Sequence, residues 1–130
     1  MICTKCGQDK LDKEFYGRPS RPKGLVSYCK LCFTEMRRFY RSERKSILAE
    51  IKLKRGCVDC GFNKSAAALH FDHRNPQIKN FSIARDESNK AWKKVLEEVE
   101  KCDVRCANCH AIRHANEKRR SGEMVDATVC

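Results

Sequence analysis

No stretch of the chain is apolar for long enough to span a bilayer, and its opening residues do not read as an apolar signal segment. A membrane partner is therefore not expected, and a reducing cytoplasm is the expected setting. Aromatic residues are scarce, 8% with a single tryptophan, whereas charged residues make up 35% of the 130 positions. Buried hydrocarbon alone cannot hold such a chain; its length suits one domain, or two very small ones that need a further staple. Acidic residues are outnumbered by 28 Lys and Arg to 17 Asp and Glu, a net charge of +11. That surplus asks for a polyanion. It is not accompanied by an apolar face edged with tryptophan, so nucleic acid is a better partner than an acidic lipid surface.

What the chain does have is cysteine, ten in all. Eight fall into four Cys-x-x-Cys pairs, Cys3/Cys6, Cys29/Cys32, Cys57/Cys60 and Cys106/Cys109, leaving Cys102 and Cys130 over. This spacing makes a poor disulfide framework but a good metal knuckle, because a turn of that size aims two thiolates at one tetrahedral ion. Two knuckles make one site. Two structural zinc ions per chain are expected, one held by Cys3, Cys6, Cys29 and Cys32, the other by Cys57, Cys60, Cys106 and Cys109. Cys102 reads as a small buried thiol.

The two halves look like variations on one plan. CTKCG opens the first and CVDCG the second, each knuckle ending in a glycine suited to positive φ. CKLC and CANC close them, and each leads into a basic segment free of Gly and Pro, which predicts a helix after each. The first helix is expected over 33–54, ending near Gly56, with Phe33, Met36, Tyr40, Ile47 and Ile51 on its apolar face. From Arg37 to Arg55 it carries eight Lys and Arg against two Glu. Such a run also suits a plain solvated face, but with the net charge it points to DNA. Lys10 to Lys23 reads as a hairpin or loop. Between the second pair of knuckles a strand is expected over 68–73, a second at 81–83, and a helix over 88–100 capped by Ser88 or Asp86 and burying Trp92, Val95, Leu96 and Val99. The tail SGEMVDATVC lacks periodicity and is expected to be disordered, with Cys130 free.

Only 22 residues separate Cys6 from Cys29, whereas 45 separate Cys60 from Cys106. Something has been built into the second module. Within those 45 lies LHFDHRNP, residues 69–76. Alternation puts Leu69, Phe71 and His73 on one face of a strand and His70 and Asp72 on the other. A core histidine beside an exposed aspartate is the plain reading of such a pair. Pro76 ends the strand near His73, and the two side chains are then expected to turn toward a common point, a hard metal ligand beside a general base. His110 follows the last knuckle at a position held by Phe33 in the first module, which has no comparable acid or histidine.

The order CVDC, LHFDH, CDVRCANCH resembles the zinc-stabilised HNH endonucleases of the ββα-metal class common in bacteriophages. CTKCGQDKLDKEFYG with YCKLC resembles the zinc segment of the recombination endonuclease VII group. The resemblance implies a small α+β, zinc-stabilised fold: a zinc ribbon over 1–32, a connecting basic helix over 33–55, an HNH domain over 56–120, and the tail over 121–130. It implies a metal-dependent DNA endonuclease in a bacterial or phage-infected cytoplasm, with His73 as general base and Asp72 and His110 holding a catalytic divalent ion, Mg²⁺, Mn²⁺ or another transition metal. The middle Asn of the motif, usually five residues before the third zinc cysteine, falls on Lys101; Asn75, Asn80 or Asn89 is left to take its loop-tying role. Arg37, Arg38, Arg41, Arg44, Arg74 and His114 are the expected DNA contacts, His114 also being placed to form a second metal pair with His110, four residues earlier. The apolar face of the connecting helix suggests a homodimer. The other class of function open to this sequence is a non-catalytic zinc-ribbon DNA-binding or regulatory protein, which would need none of Asp72, His73 and His110.

Overall fold

A computed structural model describes residues 1–120; the expected disordered tail, with Cys130, lies outside the described residues. The chain divides into two compact units, Met1–Glu43 and Arg44 onward. The described residues form a small α+β fold with four helices and two two-stranded antiparallel sheets. No helix among the described residues is long and apolar enough to cross a membrane.

In the first unit β1 (Phe15–Gly17) pairs with β2 (Leu25–Cys29), Phe15 opposite Cys29 and Gly17 opposite Leu25, with an irregularity between. This is the expected hairpin. The buried set is Cys3, Phe15, Cys29 and Cys32, with Met1, Leu25 and Tyr28 packed against it. Three of its four buried members are thus prospective zinc ligands. Helix α1 (Lys30–Arg55) starts inside the closing knuckle, at Lys30 rather than Phe33, and ends at Gly56, whose φ is +66°. Phe33 stacks its ring edgewise on Tyr16 at 5.3 Å, with Arg37 over its ring at 5.9 Å. Phe33→Ala should therefore lower the urea midpoint by the equivalent of about 1–2 kcal/mol, as for a half-buried aromatic, and leave metal content unchanged.

The two opening knuckles match bond for bond. Cys3 N–H donates to Gln8 O at 2.9 Å and Gly7 N–H to Cys3 O at 2.8 Å; Cys57 N–H donates to Phe62 O at 2.9 Å and Gly61 N–H to Cys57 O at 2.8 Å. Gly7 and Gly61 have φ of +70° and +77°, the left-handed turn that brings N–H groups back onto the first cysteine.

In the second unit β3 (Leu69–His73) pairs in full register with β4 (Cys102–Cys106), from Leu69 opposite Cys106 to His73 opposite Cys102. Helix α4 (Ala107–Arg120) follows directly. The partner strand is therefore not 81–83, where the chain instead enters the short helix α2 (Ile83–Asp86). CDVRC carries an apolar alternation that its knuckle spacing conceals. Helix α3 (Trp92–Glu100) starts after Ala91 and not at Ser88, and neither Ser88 nor Asp86 caps it. On it Val95 and Val99 are buried as expected, but Leu96 is exposed and Glu98 takes a buried place. One core gathers Leu48, Ile83, Val95, Val99 and Cys102, with Ile51, Phe71, Phe81 and Trp92 against it; another gathers Cys57, Leu69, Val104 and Cys106. On α1 it is Leu48 that is buried, whereas Tyr40 and Ile47 are exposed. Leu48 and Ile51 are three apart, which fits helical periodicity as well as the four of Ile47 and Ile51 does.

Candidate metal centres and their cavity

Two four-cysteine groups are geometrically suited to structural zinc: in each of the sets Cys3, Cys6, Cys29, Cys32 and Cys57, Cys60, Cys106, Cys109, one Sγ per residue lies within 4.8 Å of the others. Cys60 Sγ and Cys106 Sγ are 3.7 Å apart. Ligands on a tetrahedral ion with Zn–S of about 2.3 Å would stand about 3.8 Å apart. Backbone N–H groups, chiefly that of Cys6 and then that of Cys29, draw the Cys3 thiol down to about 6 against burial. Burial pushes the Cys57 thiol up, but the N–H groups of Cys106, Cys60 and Asp59 bring it to about 6 as well. Burial and the neighbouring thiols push Cys32 up to about 12. Each site thus offers a ready thiolate, Cys3 in one and Cys57 in the other, whereas Cys32 needs an ion to release its proton. Cys102 stays outside both sets; its thiol donates to Glu98 O at 3.4 Å, and burial pushes it up to about 12.

A third group joins Asp72, His110 and His114, again within 4.8 Å. The four-residue step on α4 puts both imidazoles on one face, His114 Nε2 at 2.9 Å from His110 Nε2, and Asp72 Oδ1 lies 3.7 Å from His110 Nε2. Adjacent positions around an octahedral ion at about 2.1 Å stand about 3.0 Å apart, so the imidazole spacing fits one ion with positions left open. The far nitrogens are engaged too. His110 Nδ1 is 3.2 Å from His70 Nδ1, and His114 Nδ1 is 3.5 Å from the Glu117 carboxylate. Such outer partners aim Nε2 of each ring inward. Burial, with His114 and His70 beside it, lowers the His110 pKa although Asp72 opposes, so the ring is neutral and able to ligate near neutral pH. His70, which alternation assigns to solvent, is exposed yet belongs to this cluster through His110. The place of His114 beside Asp72 and His110 is legible in the sequence only through its spacing from His110.

Asp72 is buried, 7% exposed, and not the exposed aspartate of the plain reading. Its Oδ2 accepts from Arg113 Nη1 at 2.6 Å and Arg105 Nη1 at 2.9 Å, which leaves Oδ1 toward the imidazoles. Burial works against the charge, but Arg113 and then Arg105 outweigh it and hold the carboxyl below its ordinary value. Neither arginine stands out in the sequence, where each is one among many bases.

Strand alternation persists to the end of β3, so Asp72 and His73 do not turn to a single point as expected. Asp72 turns to the arginines of β4 and α4, and His73 to Glu98 of α3, with Nε2 3.1 Å from Oε1. Both nevertheless line one cavity of about 460 Å³, together with His70, His110, His114, Lys52 and Lys79. Burial lowers the Lys52 pKa, and its ammonium lies over the Phe71 ring at 5.1 Å. Lys101 itself ties the loop beyond β3: its Nζ donates to Ile78 O at 3.2 Å and to the Glu98 carboxylate, and its carbonyl accepts from Arg74 N–H at 3.1 Å. Asn75 only caps the turn at Pro76–Ile78, through Gln77 N–H.

The expected DNA contacts separate. Arg37, Arg38 and Arg41 lie on α1 and all three are exposed, Arg37 with its guanidinium over the Phe33 ring. Arg44 instead donates to Glu87 O and Lys90 O, both at 2.8 Å, and covers Trp92 at 5.4 Å. Arg74 donates to Cys102 O, Glu100 O and Asp103 Oδ1. Both guanidiniums serve backbone carbonyls, a use that composition cannot distinguish from phosphate binding.

No family model matches the chain, and neither a curated protein nor a solved structure matches it.

Proposed function

We propose that the protein is a metal-dependent DNA endonuclease in which Asp72, His110 and His114 hold one divalent ion and His73 is the general base. The observation that carries this reading is the convergence on one cavity of a three-ligand cluster, a histidine outside that cluster, and two lysines. A binding module has no use for a ligand set with open positions beside a separate imidazole. The antiparallel pair β3–β4 followed by α4 is also the arrangement that the HNH resemblance implies.

A bound ion would stabilise the charge that develops on the phosphate and the leaving oxygen. His73 takes a proton from water, whose oxygen forms a bond to phosphorus. The bond from phosphorus to the 3′ oxygen breaks, and that oxygen takes a proton from solvent. Lys52 and Lys79 offer positive charge to the phosphodiester as it enters. Two imidazoles and one carboxylate favour Mn²⁺ or a softer ion over Mg²⁺.

Incubating the zinc-loaded chain with supercoiled, linear and branched DNA, in Mg²⁺, Mn²⁺ or EDTA, tests this on one gel. Cleavage faster in Mn²⁺ than in Mg²⁺ and absent in EDTA is expected. A protein that shifts DNA in a binding gel yet cuts none of the three forms under any divalent ion is a binder instead.

Affinity is assigned to Arg37, Arg38 and Arg41, with Arg44 left out because its Nη1 serves the carbonyls of Glu87 and Lys90. Replacing the three by Gln should weaken binding alike on all sequences and reduce the slope of log K against log salt by up to about 0.9 for each phosphate no longer neutralised. An unchanged slope would make this stretch only a solvated face.

A further inference from the structure

Among the described residues Asp72 and Glu98 are the two buried charged side chains, Glu98 at 1% exposure on α3. Its Oε1 accepts from Asn80 N–H at 3.1 Å and lies 3.1 Å from His73 Nε2, while Lys101 Nζ approaches both oxygens at 3.4 and 3.5 Å. Burial works against the carboxylate charge, but Asn80 N–H, His73 and Lys101 together hold its pKa below the ordinary value. An ionised carboxylate can only accept. His73 Nε2 must then carry the hydrogen, and the neutral ring keeps its lone pair on Nδ1.

We propose that Glu98 is a positioning residue for His73, fixing the ring's orientation and its Nε2–H tautomer so that Nδ1 is the atom that receives the proton from water. This rests on the endonuclease reading. The step balances: the O–H bond of water breaks, Nδ1 gains the proton as the ring becomes imidazolium, and the water oxygen bonds to phosphorus as the 3′ oxygen leaves. The carboxylate also faces the positive charge that the ring then acquires. A carboxylate needed only to tie the loop to α3 would serve equally with a histidine of either tautomer. Lys101 already makes that tie through Ile78 O.

The test compares wild type, Glu98→Gln and Glu98→Leu as zinc-loaded full chains by ¹⁵N NMR of the imidazoles in mildly alkaline buffer, and by DNA cleavage in Mn²⁺. The chain has four histidines, so the His73 signals can be assigned by their loss in His73→Ala. Wild type should show His73 in the Nε2–H form alone. Glu98→Gln keeps an acceptor for Asn80 N–H and His73, and should keep that tautomer while cutting about tenfold more slowly for want of the charge; Glu98→Leu should show both tautomers and cut about a hundredfold more slowly. DNA binding and zinc content should be the same in all three. An unchanged His73 tautomer in Glu98→Leu, or equal cleavage rates in all three, would overturn the proposal and leave the endonuclease reading standing. A wild type with the expected spectrum that cuts no DNA would sink both together.

Discussion

Stripping zinc is expected to unfold both units, with loss of far-ultraviolet circular dichroism on adding a strong chelator and recovery on returning zinc. The chain should keep two zinc equivalents through dialysis against a weak chelator, whereas an ion at the more open Asp72, His110 and His114 cluster should be lost. The reason lies in what is buried. In the first unit Phe15 is the one large apolar side chain of a buried set otherwise made of Cys3, Cys29 and Cys32. In the second, Cys57 and Cys106 stand in one core with Leu69 and Val104. A structural zinc site contributes an apparent ~10–16 kcal/mol, as much as the ~5–15 kcal/mol net stability of an ordinary domain. Removing it leaves cores too small to offset chain entropy. One equivalent or none on metal analysis, or an unchanged spectrum in chelator, would contradict this.

His73→Ala is expected to lower DNA cleavage about 10²- to 10⁴-fold, the usual contribution of a general base, while folding, zinc content and DNA binding stay near wild type. The fold should survive because Glu98 keeps Asn80 N–H and Lys101 as partners when the imidazole is gone. Asp72→Ala and His114→Ala should lose cleavage to a similar degree, but by weakening the ion site. Raised Mn²⁺ should partly restore them and should not restore His73→Ala. In Asp72→Ala neither arginine is orphaned, since Arg105 retains Asp59 and Asp103 and Arg113 retains Glu117. Should His73→Ala unfold the chain, the histidine is a core residue and its assignment as base fails.

The knuckles, their glycines, the hairpin, β3 and the helix that follows each closing knuckle are set by local spacing, and local spacing is what a sequence displays. The features that escape it depend on what a residue meets across the fold. CDVRC announces itself by its cysteines, which hide its alternation, so the sequence reading places a second strand at 81–83 instead. Arg44 and Arg74 look like any other basic residues until their carbonyl partners are known. Asp72 takes its buried place because Arg105 and Arg113, 33 and 41 residues away, converge on one oxygen. Glu98 is buried alongside Val95 and Val99. Nothing in the pattern WKKVLEEVE says which of its glutamates goes inside. Lys101 stands where the resemblance alone would lead one to expect an Asn, and its ammonium bonds Ile78 O and the Glu98 carboxylate, a tie expected of Asn75, Asn80 or Asn89.

The most direct measurement is the nicking rate of supercoiled plasmid as a function of added Mn²⁺, for zinc-loaded wild type and His110→Ala at equal zinc content. Wild type should nick with a rate that saturates in Mn²⁺, and His110→Ala should need far more ion or fail to nick, while both bind the plasmid equally. Equal nicking by the two proteins would place the chemistry, or a contaminant's, elsewhere than at Asp72, His110 and His114, and no nicking by wild type at any Mn²⁺ concentration would contradict an endonuclease outright.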